Sequence, residues 1–148
     1  MQLNRLTPQD MNGLLRECGI VDDARIALAV SGGADSMCLA FLLADRPGTV
    51  ALTVDHALRA ESGQEADWVA KQLKQLSLEH YILEWQHTAK PDGNIQALAR
   101  EARYALLIKW CEAHDIRFLM TAHHMNDQAE TVLLRLARGS GVHGLASM

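Results

Sequence analysis

The chain alternates between short unbroken apolar runs and longer stretches in which apolar residues recur every three or four positions. The first such stretch opens at Thr7-Pro8-Gln9-Asp10, with Thr7 suited to an N-cap and Pro8 to the first helical position. Met11, Leu14, Leu15 and Cys18 then fall at i, i+3, i+4 and i+7, one apolar helix face, and Gly19 stops it. Residues 26–30 are apolar without a break and predict a strand buried on both sides. Residues 37–44 predict the next helix, ended by Arg46-Pro47-Gly48, and residues 49–55 a second strand. Ser62 and Glu65 spell a capping box for a helix whose inward face would carry Trp68, Val69, Gln72, Leu73 and Leu76. Tyr81, Leu83 and Trp85 alternate with their neighbours and predict a third strand. After the turn signal Lys90-Pro91-Asp92-Gly93 a long helix is expected over 94–113. Its core face would be Ile95, Leu98, Ala99, Ala102 and Leu106, with Gln96, Arg100 and Arg103 sharing another face. Residues 117–122 predict a fourth strand, and a last helix starts near Asp127 with Ala129, Val132, Leu133 and Leu136 inward, before a glycine-rich loop at 139–144.

Strands alternating with helices predict an α/β fold, an open parallel sheet with helices on both faces. In such sheets ligands sit beyond the carboxyl ends of the strands. Ser31, Asp55 and His123 each lie at or just after such an end, so three distant motifs would gather around one pocket.

Composition narrows the picture. A length of 148 residues suits one domain with a real core, and 49% apolar against 22% charged residues makes it globular. No apolar run reaches the ~18 residues of a membrane span, and no signal-peptide pattern opens the chain, so a cytoplasmic location and no membrane partner are expected. Cys18, Cys38 and Cys111 are odd in number and far apart, with no C-x-x-C. A disulfide framework, a zinc knuckle and a thioredoxin motif are therefore unsupported. A net charge of −4 argues against a basic nucleic-acid surface over the whole domain and leaves room for a local strip.

The candidate chemistry centres on Ser31-Gly32-Gly33-Ala34-Asp35-Ser36, a turn from a buried strand into a helix. Two glycines let the backbone turn sharply and approach a ligand. The N–H groups at the helix start and the helix dipole favour an anion there, and phosphate is the obvious one. No Lys follows Gly33, so this is not a Walker loop; the third glycine of the dinucleotide fingerprint and the Gly-x-Ser-x-Gly elbow are also missing.

The spelling Ser-Gly-Gly-x-Asp-Ser resembles the PP-loop of the ATP pyrophosphatases, which split ATP between the α and β phosphates. It occurs with three others: residues 55–62, Asn94-x-x-Ala-x-Ala-Arg with Arg103-Tyr104, and residues 121–131 running into 133–141. The set resembles bacterial tRNA(Ile)-lysidine synthetases from about residue 20 onward. The resemblance implies an ATP-dependent ligase that joins L-lysine to the wobble cytidine of an isoleucine tRNA with a CAU anticodon. It implies an adenylated cytidine intermediate and release of pyrophosphate and AMP. ATP and Mg²⁺ are the expected cofactors, and a homodimer is left open. Members usually continue with further tRNA-gripping domains, so residues 1–148 are expected to be the PP-loop catalytic domain cut short.

Under this resemblance, backbone N–H groups around Gly32, Gly33 and Ala34, with the hydroxyls of Ser31 and Ser36, would hold the leaving pyrophosphate. Asp35 is a carboxylate beside phosphates, where repulsion is costly without a cation; Mg²⁺ is expected there, shared with Asp127. Asp127 with Glu130 also spells a capping box, and the two roles are compatible. Arg100 and Arg103 would clamp phosphate or the cytosine region; a solvated helix face is the alternative. Asp55, His56 and His123 are assigned to the nucleotide site, with a plain strand-end turn as the alternative for Asp55-His56. His123-His124 lacks a third ligand at H-E-x-x-H spacing, which disfavours metal binding by the pair. The rival functions are another PP-loop tRNA modifier, such as a cytidine thiolase, and a non-catalytic nucleotide-binding module.

Overall fold

The computed structural model describes residues 6–57, 62–86 and 95–123. Along them run α1 (Pro8–Glu17), β1 (Ile26–Ala29), α2 (Ala34–Leu43), β2 (Thr49–Asp55), α3 (Ser62–Gln75), β3 (Glu79–Glu84), α4 (Ile95–Ala113) and β4 (Phe118–Thr121). The four strands form one parallel sheet in the order β3-β2-β1-β4. The chain steps outward from β1 to β3, then returns across the sheet to place β4 on the other side of β1. That reversal opens a crevice at the carboxyl ends of β1 and β4, where α/β sheets bind ligands.

Side-chain alternation along the strands builds a layer on each face. Ile26, Leu28, Val30 and Ala51 pack with Leu15 of α1, Ala40 and Leu43 of α2, and Val69 and Leu73 of α3. Ala27, Val50 and Leu52 point the other way, onto Leu107 and Cys111 of α4. The expected parallel sheet with helices on both faces is the observed one. Among the described residues, no helix is long and apolar enough to cross a membrane.

Where a single face had to be chosen from periodicity alone, the tertiary structure differs. Trp68 was expected inward but is 49% exposed, while Val69 beside it is fully buried. In α4 the buried positions are Leu107 and Cys111, whereas Ile95 and Leu98 are each 38% exposed. The run Leu106-Leu107-Ile108 offers three adjacent apolar positions about 100° apart around the helix, and only the position of β2 selects among them. Tyr81 lies on the expected strand β3 and is 41% exposed, because β3 is an edge strand among the described residues. The last helix expected from Asp127 and the turn at 90–93 lie outside the described residues.

Arg46 carries more of the fold than a turn residue should. Its guanidinium is buried and donates to the carbonyls of Ala24 at 2.8 Å, Val21 at 2.9 Å and Pro47 at 3.1 Å. These bonds tie the loop before β1 to the turn before β2. Hydrogen bonds to charged groups are the strong ones, so Arg46→Met should lower stability by about 2–4 kcal/mol in urea unfolding. Arg46→Lys should recover only part of it, because one ammonium cannot reproduce the fork.

Candidate functional site

Residues 31–36 make the turn that leaves β1. Gly32 has φ +86°, and a Cβ added there would lie 2.8 Å from Cγ2 of Val69 in α3. Both backbone and space therefore demand glycine. Gly33 is the N-cap of α2 and brings no side-chain capping bond, so the first-turn N–H groups of α2 face the loop side without a side-chain acceptor at the cap. Together with the helix dipole they make an anion-binding corner. The Ser36 hydroxyl, buried at the base, accepts from Ser31 N–H at 3.2 Å and donates to the Gly33 carbonyl at 2.9 Å. Ser36 thus shapes the loop from within, while Ser31 is exposed at its mouth. Asp35 is exposed in the first turn of α2.

Beside this corner a cleft of about 310 Å³ opens at the strand ends, within the usual range for small-molecule sites of about 300–1,000 Å³. Ala29, Leu52 and Leu107 give it an apolar floor. Its polar wall gathers Ser31 and Ser36 after β1, Asp55 and His56 after β2, Arg103 on α4, and His123 after β4. Gly32 lines a shallower recess on the other side of the loop, against Glu65 and Trp68 of α3. Arg100 is not on the cleft wall; its guanidinium and that of Arg103 lie 5.5 and 5.7 Å from the Tyr104 ring centre, so one aromatic ring organises both arginines. Asp127, with His124, Arg135 and Arg138, lies outside the described residues.

The wall's charges are set by its neighbours. Asp55 Oδ1 accepts Ala57 N–H at 2.8 Å, holding the chain where Ala57 takes φ +49°. Burial pushes the His56 pKa below its ordinary value and the Arg103 charge pushes the same way, against a smaller opposite pull from Asp55. His56 is therefore a neutral imidazole at pH 7, able to donate and to accept. Its ring meets Trp85 edge-on, with centres 6.1 Å apart. His123 Nδ1 lies 3.0 Å from the Thr121 hydroxyl.

Among the described residues, no group of three or more His, Cys, Asp or Glu is placed to hold a metal. Mg²⁺ needs no such cage, since it commonly takes one or two carboxylates and fills its shell with substrate phosphates and water. An exposed hard-oxygen donor, Asp35, at the mouth of an anion-binding corner fits that mode.

Sequence reasoning missed several members of the site. Leu107 on α4 escaped because the helix face was assigned one position off, and Tyr104, named beside Arg103, had been given no role. Thr53, on the cleft lining, carried a signal that went unused: a hydroxyl inside an otherwise apolar strand interior. Glu65, read from the sequence as a capping residue, also stands on the cleft lining.

A family model described as a PP-loop domain matches residues 4–148. The tRNA(Ile)-lysidine synthase of Wolbachia pipientis wMel is 49% identical over 131 residues, 84% of this chain and 30% of that protein. The enzyme of the same name from the Wolbachia of Brugia malayi is 43% identical over 100% of this chain and 35% of its own length. That of Zymomonas mobilis is 46% identical over 84% of this chain and 38% of its own length. The chain thus spans about a third of the length of these curated relatives. Among solved structures, the U34-tRNA thiolase NcsA of Methanococcus maripaludis, with its 4Fe–4S cluster, superposes with a TM-score of 0.78 at 20% identity, over 94% of this chain and 51% of that one. An NH3-dependent NAD synthetase from Campylobacter jejuni gives 0.64 at 16% identity, over 84% and 58%. At such identities these two likenesses speak for the fold alone.

Proposed function

The chain belongs to the PP-loop domain family, and from that premise we propose that it is the ATP-using catalytic domain of a tRNA(Ile)-lysidine synthase. The observation that carries the reading is its 43–49% identity to proteins of that name over 84–100% of its length. The proposed reaction activates the 2-carbonyl oxygen of the wobble cytidine with the AMP half of ATP. Pyrophosphate leaves; the lysine ε-amine then attacks the activated carbon and AMP leaves. The activity would belong to the cytoplasm, where tRNA is handled.

The geometry supports this division of labour. The 31–36 corner offers aligned backbone N–H groups to the β and γ phosphates, whose charge grows as they depart. Arg103, on the cleft wall beside His56, offers a planar cation to the α phosphate or the base. The neutral His56 and the Asp55 turn would border the nucleoside, and the apolar floor would exclude water from the reacting carbon. Asp35, with Asp127, would hold Mg²⁺, whose charge offsets that of the phosphates. A cytidine thiolase of the same fold is the nearest rival. Against it, Cys18, Cys38 and Cys111 sit on three different helices or their ends and Cys111 is buried, a poor arrangement for shared cluster ligands.

The test uses the full-length parent with ATP, labelled lysine and unmodified isoleucine tRNA bearing a CAU anticodon. The expected result is tRNA-dependent release of pyrophosphate and AMP with label fixed on the tRNA. Orthophosphate release, or label that stays off the tRNA, would overturn the reading.

A further inference from the structure

The 31–36 loop is anchored from the far edge of the sheet. Thr53 of β2, 5% exposed, donates its hydroxyl hydrogen to the carbonyl of Val30 at 2.8 Å. Val30 is the residue before Ser31, and its N–H makes the last rung of the β1–β2 ladder, to Leu52 at 2.8 Å. The carbonyl that faces the next rung takes a side-chain hydroxyl instead. Behind Thr53 stands His80 of β3, with Nε2 2.9 Å from Thr53 Oγ1.

The direction of this chain is forced. A carbonyl cannot donate, so the single Thr53 hydroxyl hydrogen lies toward Val30, and Thr53 Oγ1 can only accept from His80. His80 must therefore carry its proton on Nε2. Burial holds its pKa below the ordinary value, so Nδ1 stays bare at neutral pH. The chain also continues forward. The Val30–Ser31 peptide that accepts from Thr53 donates its Ser31 N–H to Ser36 Oγ at 3.2 Å. Ser36 in turn donates to the Gly33 carbonyl at 2.9 Å. The N–H of that Gly33–Ala34 peptide belongs to Ala34, the first residue of α2, and has no intrahelical acceptor. Two consequences follow. The Val30–Ser31 peptide plane is held at both edges, which sets the entry into the positive-φ turn at Gly32. All donors point one way, so each bond polarises the next toward the Ala34 N–H.

We propose that His80 is a positioning residue of the phosphate loop, acting through Thr53 and the Val30–Ser31 peptide to aim the N–H groups at the start of α2. The proposal rests on the reading of 31–36 as the ATP phosphate site. It assigns a role in binding to a side chain on β3, two strands away from the loop it serves.

The experiment titrates the 148-residue chain and its variants with ATP and Mg²⁺, and follows melting temperature, His80 ring nitrogen NMR shifts and amide exchange at Gly33 and Ala34. Thr53→Val and His80→Leu should each weaken ATP about tenfold, the value of one well-placed hydrogen bond. The double variant should be no weaker than Thr53→Val, and His80→Gln, which keeps a donor, should stay within about threefold of wild type. Wild-type affinity in Thr53→Val, a His80→Gln as weak as His80→Leu, or an Nδ1-protonated His80 would each overturn the assignment. If the wild-type chain itself binds no ATP, the nucleotide reading fails, and amide exchange decides the relay. Faster exchange at Gly33 and Ala34 in Thr53→Val and His80→Leu supports it, and unchanged exchange overturns it.

Discussion

Gly32→Ala should weaken ATP binding by about 100-fold, because two independent costs fall on one methyl group. The backbone at Gly32 sits at φ +86°, where a side chain costs about 1–2 kcal/mol. The new Cβ would also lie 2.8 Å from Val69 Cγ2, closer than real carbon contacts allow. Val69 is fully buried and cannot swing aside, so the loop must lift off α3. Lifting re-aims the N–H groups of the turn, and an anion site built from fixed backbone dipoles loses its value when they splay. The two costs separate experimentally. Val69→Ala added to Gly32→Ala removes the clash and leaves the strained φ, so it should recover part of the affinity. Calorimetric titration with ATP checks both variants, and affinity within threefold of wild type in Gly32→Ala would show that the turn does not hold the phosphates.

The second large effect falls on rate. Under the proposed function, Asp35→Asn should cut tRNA-dependent pyrophosphate release by ~10²–10³, the usual loss when one group that stabilises transition-state charge is removed. The substitution keeps size and hydrogen-bonding reach and removes only the negative charge that would hold Mg²⁺. Asp35 is exposed in the first turn of α2, so its favourable interaction with the helix dipole is worth only about 0.3–1 kcal/mol. The melting temperature should therefore barely move while turnover collapses. Unaltered pyrophosphate release would remove Asp35 from the site. A parallel fall in stability and rate would make it a structural residue.

Those two residues were legible before any coordinates, because their signal is local. A glycine pair between an apolar run and a helix, followed by a carboxylate in the first turn, states a backbone conformation and a charge within six residues. The same holds for Thr7, whose hydroxyl accepts Asp10 N–H at 3.3 Å as the cap rules require, and for β2, observed over Thr49–Asp55 as its composition predicts. Continuous apolar strands separated by helices also determined the parallel sheet, since crossover helices cover both of its faces.

What the sequence could not decide is what lies opposite. The faces of α3 and α4 were misassigned at Trp68, Ile95 and Leu98, because neighbouring apolar positions differ only in which strand they meet. Arg46 looked like punctuation before Pro47-Gly48, yet its guanidinium closes three carbonyls, two of them more than twenty residues away in sequence. His56 could be assigned to the nucleotide site from its place after a strand, with a plain turn as the alternative, but its lowered pKa comes from burial and from Arg103 on a distant helix. The His80–Thr53–Val30 chain joins three strands across 27 and 23 residues of sequence. Local pattern specifies which backbone a segment adopts, because torsions and hydrogen-bonding groups are local. Partners, burial and protonation depend on the field of atoms that folding assembles, and that field exists only once β3, β2 and β1 lie side by side.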